Sequence, residues 1–254
     1  MKLNFEVPVK YLETFYHYQD FLMCNVFTCL ENDEYCKFFR EKSKEKYVIL
    51  DTTTYNLNKH VSVAELLDMA RYIHAKEIVA PYFFFNVNRT LDQLNLLYRC
   101  MDEKNMTSEF NVLIMPQGNN MNEFIQSLPK FMKFPSESLG ISSNIFSLDN
   151  TYRTEQLRFN LIQKMAHLKL LGKKTIHLLD ICGVQFLKAY KKGQRFFKIR
   201  SLNTSYPTAL GIIGKTFSDT KKKPDVPNNF YNLSLQKMTI DRIRQNMSFM
   251  RDYK

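Results

Sequence analysis

KTIHLLDICGVQFLKAYKKGQRFFKIRS, residues 174–201, decides the fold. Residues 174–179 form a short apolar run that reads as a strand and ends at Asp180. Residues 184–192 then carry apolar side chains at helical spacing and are closed by Gly193, a residue type that ends helices. Residues 196–201 return to strand-like character. Two strands joined by a helix must lie parallel, because a tight turn joins only antiparallel neighbours.

The same alternation extends outward in both directions. Strand-like runs occur at 21–30, 47–50, 77–81, 111–115 and 138–141, which with 174–179 and 196–201 makes seven. Helical periodicity fills 33–44, 88–102, 121–131 and 152–171, the last stopped by Gly172. A further helix opens at Ser62, with Glu65 at capping-box spacing and Leu66, Leu67, Ala70 and Ile73 on its apolar face. A polar loop at 218–229 leads to a closing amphipathic helix at about 233–250. Repeated βα units of this count and length predict an α/β fold, a TIM-type (β/α) barrel, as a single domain over 1–254.

Composition narrows the function. Hydrophobic residues make up 44% of the 254, with 21 Phe, enough for a large core. Only 7 residues are Gly, and neither a Walker-type loop nor G-x-G-x-x-G occurs, so those nucleotide-binding classes are excluded. No apolar run approaches the ~20 residues of a membrane span, and the first residues do not read as a signal peptide. A cytoplasmic protein with no membrane partner is expected. Cys24, Cys29, Cys36, Cys100 and Cys182 are odd in number and contain no C-x-x-C pair, which predicts buried reduced thiols. The formal net charge of +11 points to an anionic partner, nucleic acid first, although excess lysine also serves solubility.

In a parallel barrel, chemistry collects where strands end. Those positions hold Asp51, Tyr82, Gln117-Gly118, Ser142-Ser143, Asp180 and Asn203. Two carboxylates are present, but no His/Cys cluster, so neither a metal nor another cofactor is expected. Read from the residues alone, Asp51 is an acid/base or a turn cap, and Asp180 a second carboxylate or a helix cap. Gln117 offers a donor and an acceptor, or ties down its loop. His177 reads as a core histidine. The aromatics Tyr82-Phe83-Phe84-Phe85 are stacking platforms or core. Arg195, Lys198, Arg200, Lys221, Lys222 and Lys223 are phosphate contacts or a solvated basic surface.

The ordered tags ILD (49–51), Pro81, MPQG (115–118), LGI (139–141), IHLL (176–179) and RSLNTSYP (200–207) resemble the tRNA-guanine transglycosylase superfamily. The likeness is nearest its phage-type queuine tRNA-ribosyltransferase-like and DNA 7-deazaguanine members. It runs from about residue 21 to 207, with Arg244-Gln245-Asn246 similar to the family's ending. The resemblance implies a glycosyltransferase that exchanges a guanine-type base in DNA or tRNA. Asp51 would handle the proton, with Asp180 or Asn203 at the sugar, and Thr52, Tyr82, Gln117 and Gly118 would contact the base. The pattern departs at Asn203, where the family has Asp, and at Asp51-Thr52-Thr53-Thr54, which lacks the family's glycine. It departs again at Tyr82 and at Asp180 after IHLL. Those departures motivate the alternatives: a catalytically inactive barrel that binds nucleic acid or a protein partner, or a glycosylase of altered specificity. A homo-oligomer is compatible with either.

Overall fold

A computed structural model describes residues 1–52, 61–146, 152–181, 183–219, 224–227 and 229–253. Eight parallel strands alternate with helices in a TIM-type (β/α)8 barrel, with sheet order β1-β8-β7-β6-β5-β4-β3-β2. The strands are β1 (Lys2–Phe5), β2 (Leu22–Asn25), β3 (Val48–Asp51), β4 (Glu77–Val79), β5 (Asn111–Ile114), β6 (Ser138–Ser142), β7 (Thr175–Leu179) and β8 (Ile199–Thr204). The helices before β5 are α1 (Leu12–Phe15), α2 (Val26–Glu31), α3 (Asp33–Lys42), α4 (Val63–Tyr72) and α5 (Val87–Glu103). After it come α6 (Met121–Met132), α7 (Tyr152–His167), α8 (Gln185–Gly193), α9 (Tyr206–Ile212) and α10 (Lys237–Tyr253). Among the described residues no helix is long and apolar enough to cross a membrane.

Local chemistry explains where these helices begin. Ser62 and Glu65 form the reciprocal capping box expected of their spacing. Asn25, Asn32, Asn86 and Asn120 each accept backbone N–H groups at the starts of α2, α3, α5 and α6. Asparagine is among the best residues for that position, because its side-chain carbonyl satisfies donors the helix cannot.

Several boundaries differ from the sequence reading, among them α7, which ends at His167 rather than running on to 171. The run at 21–30 is a strand only over Leu22–Asn25, where the Asn25 cap turns the chain into α2. The last strand is Ile199–Thr204 rather than 196–201, which carries Asn203 into the sheet. An eighth strand, β1, stands at the chain start, too short to register as a periodic segment.

The chain divides into two compact units. The first comprises residues 1–20, 142–171 and 176–254. Here β8 pairs with β1 on one side and β7 on the other, so that Asn203 lies in register with both Asn4 and Leu179. One face of these strands is apolar, with Leu3, Leu178 and Leu202 fully buried. The alternate positions place Asn4, His177, Ser201 and Asn203 on the opposite face, all buried. α10 packs on α9 where Gly211 leaves room: a Cβ there would meet Ile243 Cγ1 at 2.3 Å. Asn246 of α10 donates to the carbonyls of Pro207 and Lys215.

The second unit comprises residues 21–141 and 172–175. It holds the parallel pairs β2–β3, β3–β4, β4–β5 and the start of β5–β6. Cys24, Cys29 and Cys36 are buried as free thiols and Cys100 is half-buried, while Cys182 lies outside the described residues. The Cys24 and Cys29 sulfurs are 3.1 Å apart. Burial holds the Cys24 thiol above its ordinary pKa, and the hydrogen bonds among the thiols raise those of Cys29 and Cys36.

Candidate active site

In the first unit, two carboxylates flank the end of β8. Glu6 directly follows β1 and continues its ladder, donating its N–H to the Thr204 carbonyl at 3.0 Å. Its own carbonyl accepts from the Thr208 hydroxyl at 2.6 Å. On the other side Asp180 follows β7 and donates its N–H to the Asn203 carbonyl at 2.7 Å. Asp180 has φ +62°, the left-handed region, where a non-glycine residue persists only if its surroundings hold it. The Thr204 hydroxyl donates to its Oδ1 at 2.8 Å, and Arg158 Nη2 donates to its carbonyl at 2.8 Å.

Asn203 sits between the two, 4% exposed. Its Nδ2 donates to Glu6 Oε1 at 2.7 Å. A carboxylate accepts and never donates, which fixes the orientation of the amide. The Asn203 Oδ1 that results is buried without a hydrogen-bond partner among the described residues. The hydroxyl of Ser205, two residues on and 1% exposed, is likewise buried without a partner among them. Buried polar atoms left this way cost stability, and a role in binding or catalysis is one reason to keep them.

Beneath this end lies a buried ion pair. Arg158 and Glu155, one helical turn apart on α7, are both fully buried, with Nη2 at 2.6 Å from Oε1 and 2.7 Å from Oε2. Tyr190 of α8 donates to the same carboxylate at 2.6 Å. Arg158 Nη1 donates to the Leu179 carbonyl at 2.9 Å, so the guanidinium clamps the last carbonyls of β7 and sets the Asp180 turn. Burial raises the Tyr190 pKa, so the phenol stays protonated and able to donate. Lower on the same face as Asn203, His177 Nδ1 lies 2.7 Å from Ser201 Oγ. Burial first, then the charges of Arg200 and Arg158, holds the His177 pKa well below its ordinary value, so the ring is neutral. That is the core histidine the sequence suggested.

Of the candidate residues, Asp180 and Asn203 are brought together, on neighbouring strands and bonded through the backbone. Asp51, Thr52, Tyr82, Gln117 and Gly118 belong to the second unit. Asp51 ends β3, buried, in register with Asn25. Thr52 donates its hydroxyl to the Val79 carbonyl at 3.2 Å. Tyr82 packs edge-on against Phe84 at 5.3 Å, while Phe83 lies under the Arg89 guanidinium at 3.6 Å. Gln117 accepts the Phe85 N–H at 3.3 Å and donates to the Met115 carbonyl at 3.3 Å, the loop-tying role rather than base readout. A Cβ on Gly118 would lie 2.5 Å from Phe124 N, so its glycine serves close packing against α6. A groove of about 340 Å³ at the start of α5 is lined by Asn86, Asn119, Glu123 and Lys130 among others. Its Glu123 carboxylate is taken up by the Asn119 N–H and amide, both at 2.7 Å.

Arg195 and Lys198 precede β8 and Arg200 is its second residue, so all three stand at the opposite end of that strand from Asn203. Lys221, Lys222 and Lys223 lie outside the described residues, as do Thr53 and Thr54. Two site features escaped the sequence reading. Glu6 was lost with its strand, although K-L-N-F-E alternates apolar and polar as a strand should. Arg158 and Glu155 carried a visible i, i+3 spacing, but nothing in it distinguishes a buried pair from a surface one.

No protein-family model matches the chain, and no curated protein matches it. Among solved structures, the chain is similar to the apo form of a 3-keto-D-glucoside 4-epimerase from E. coli. The TM-score is 0.53 at 9% identity, over 99% of this chain and 99% of that one. It is also similar to a D-allulose 3-epimerase from Methylomonas sp., at TM-score 0.52 and 9% identity, over 100% and 98% of the two chains. The same enzyme in complex with D-allulose gives TM-score 0.52 at 10% identity, over 97% and 91%. These likenesses show the fold. The expected tRNA-guanine transglycosylase membership is overturned, and with it base exchange in nucleic acid and 7-deazaguanine chemistry. The alternatives of an inactive nucleic-acid-binding or protein-interaction barrel, or of an altered glycosylase, gain no support either. The tags ILD, MPQG and IHLL mark strand ends, and every barrel built from βα units has short apolar strands stopping at polar loops.

Proposed function

We propose that this chain is an enzyme acting on a small carbonyl compound rich in hydroxyl groups, of the sugar class, by proton transfer at a carbon next to the carbonyl. The observation that carries the reading is the Glu6 carboxylate, half-exposed at a strand end and held at 2.7 Å by the buried Asn203 amide. A carboxylate in that setting can take a proton from carbon or hydroxyl and return it. Asp180 at the other edge of β8 is a second carboxylate at this strand end, its Oδ1 accepting from the Thr204 hydroxyl. The Asn203 Oδ1 and Ser205 hydroxyl, without a partner among the described residues, offer hydrogen bonds to substrate hydroxyls. The full-length likeness to two barrels named as sugar epimerases supports the same substrate class. The reduced, buried Cys24, Cys29 and Cys36 support a cytoplasmic setting.

The test is proton exchange. The protein is incubated in D2O with D-allulose, D-fructose and related ketoses and aldoses, with and without added divalent cation, and followed by NMR. Deuterium should enter at the carbon beside the carbonyl, and Glu6→Gln should slow that entry by about a hundredfold or more. Absence of incorporation across the panel, or a Glu6→Gln variant as active as the parent, overturns the reading.

A further inference from the structure

The net charge is not spread along the chain. Residues 156–218 hold twelve Lys and Arg against one carboxylate, Asp180, the same surplus of eleven that the entire protein carries. The remaining residues hold 24 of each sign and are neutral. Within the first unit much of this charge falls at the end of β7 and β8 opposite the candidate active site. Lys169 follows α7, Lys191 and Lys192 close α8, and Arg195 and Lys198 lead into β8; all five are exposed. The segment that leads into β8 runs beside β7 and packs on α7: the Ile176 N–H donates to the Lys198 carbonyl at 2.8 Å, and Phe159 of α7 meets Phe197 at 6.3 Å.

Each segment also exposes one large apolar side chain. Leu168 is 47% exposed and Phe196 is 66%, while the next residue, Phe197, is buried at 4%. Lysines at helix C-termini favourably meet the helix dipole, which accounts for Lys191 and Lys192. It does not account for a phenyl ring and an isobutyl group set out into water among them. Exposed apolar anchors with cations beside them in the chain are the chemistry of a surface that lies on an anionic bilayer, where rings and aliphatic groups enter the headgroup boundary and cations meet the lipid phosphates. The predominance of lysine over arginine suits diffuse charge attraction rather than the bidentate reading of bases or phosphates.

We infer that this end of the barrel is a docking surface for membranes containing anionic phospholipid, with Phe196 and Leu168 as its anchors. No spanning helix is needed for such attachment, and the active site at the other end of β8 would remain turned to the cytosol. The inference does not depend on the chemistry at Glu6, so Glu6→Gln serves as a control that should leave lipid binding intact.

The chain has no Trp, so Phe196→Trp introduces a lone reporter at the proposed point of entry. Its emission should shift to the blue with vesicles of phosphatidylcholine containing about a third phosphatidylserine, and stay unchanged with phosphatidylcholine alone. In flotation assays the parent should bind the anionic vesicles, and physiological salt should weaken the binding. Phe196→Ser with Leu168→Ser should lower it about tenfold, and Lys191→Glu with Lys192→Glu by a similar factor. Both pairs are exposed, and unchanged melting temperatures would verify their folding. Failure to bind anionic vesicles at low salt, an unshifted emission from the Phe196→Trp variant, or full binding by the Ser double variant each overturns the inference. So does a single-stranded oligonucleotide that is bound in preference to the vesicles.

Discussion

Two buried amides end neighbouring kinds of segment in this protein and do opposite work. Gln117, after β5, spends its carbonyl on the Phe85 N–H and its NH2 on the Met115 carbonyl, so it fastens one loop to another. Asn203, at the end of β8, spends its NH2 on a carboxylate and leaves its carbonyl buried without a partner among the described residues. Both occupy strand ends, and both looked equally functional as letters. What separates them is where each polar atom goes. An amide whose bonds all close on backbone is structure, and one that holds an acid with an acceptor to spare is built for something else.

The strongest way to break that contrast is to remove what lies beneath Asn203. Arg158→Met takes the guanidinium away from the fully buried Glu155 and from the carbonyls of Leu179 and Asp180. Such a change should cost about 3–5 kcal/mol in urea unfolding. Arg158→Met with Glu155→Leu should recover much of that loss, because the desolvated charge is gone. Activity should stay low in the double variant, since the Leu179 and Asp180 carbonyls lose the guanidinium that clamps the turn at φ +62°. Recovery of both would show that the clamp serves packing alone.

Next in size is Gln117→Leu, which strands the Phe85 N–H and the Met115 carbonyl and should cost about 1–3 kcal/mol. Proton exchange per folded molecule should not change. A loss of exchange without a loss of stability would return Gln117 to the site.

How much of this was visible beforehand follows the same division. The βα alternation, the Ser62–Glu65 box and the end of α8 at Gly193 are local patterns, and local patterns survive in a sequence. Hydrogen-bond closure is not local. Nothing near Gln117 announces Phe85, 32 residues away, and nothing near Asn203 announces Glu6, 197 residues away. Glu6 was hidden further because β1 has four residues, K-L-N-F, of which one is exposed. Seven strands where eight complete a (β/α)8 barrel was the available clue that one was missing. The strand-end tags misled because they record the fold, which many chemistries share.

His177 extends the comparison down the face that carries Asn203. Its pKa lies well below the ordinary value of about 6.5 in the folded state and returns to that value on unfolding. The unfolded chain therefore binds the extra proton first as pH falls. Stability contributed by the neutral ring is present above about pH 6.5 and lost below it, by at most about 1.4 kcal/mol for each pH unit. His177→Gln, which can keep a bond to Ser201, should flatten that part of the pH–stability curve. An equally steep curve in the variant would assign the acid sensitivity to other groups.

The smallest expected effect on stability decides most. Asn203→Ala removes one hydrogen bond, to Glu6, together with a carbonyl that has no partner among the described residues. The bond contributes about 1 kcal/mol, and deleting a buried unsatisfied oxygen offsets part of it, so the net loss should stay under about 1 kcal/mol. Gln117→Leu should cost more, although both residues are amides of comparable burial. Activity should run the other way: Asn203→Ala should slow proton exchange by about tenfold or more as Glu6 loses its orienting donor, while Gln117→Leu leaves it alone. If Asn203→Ala instead destabilises the protein as much as Gln117→Leu does, its buried carbonyl is satisfied in solution. The end of β8 is then scaffold, and Asp51 in the other unit becomes the candidate for the chemistry.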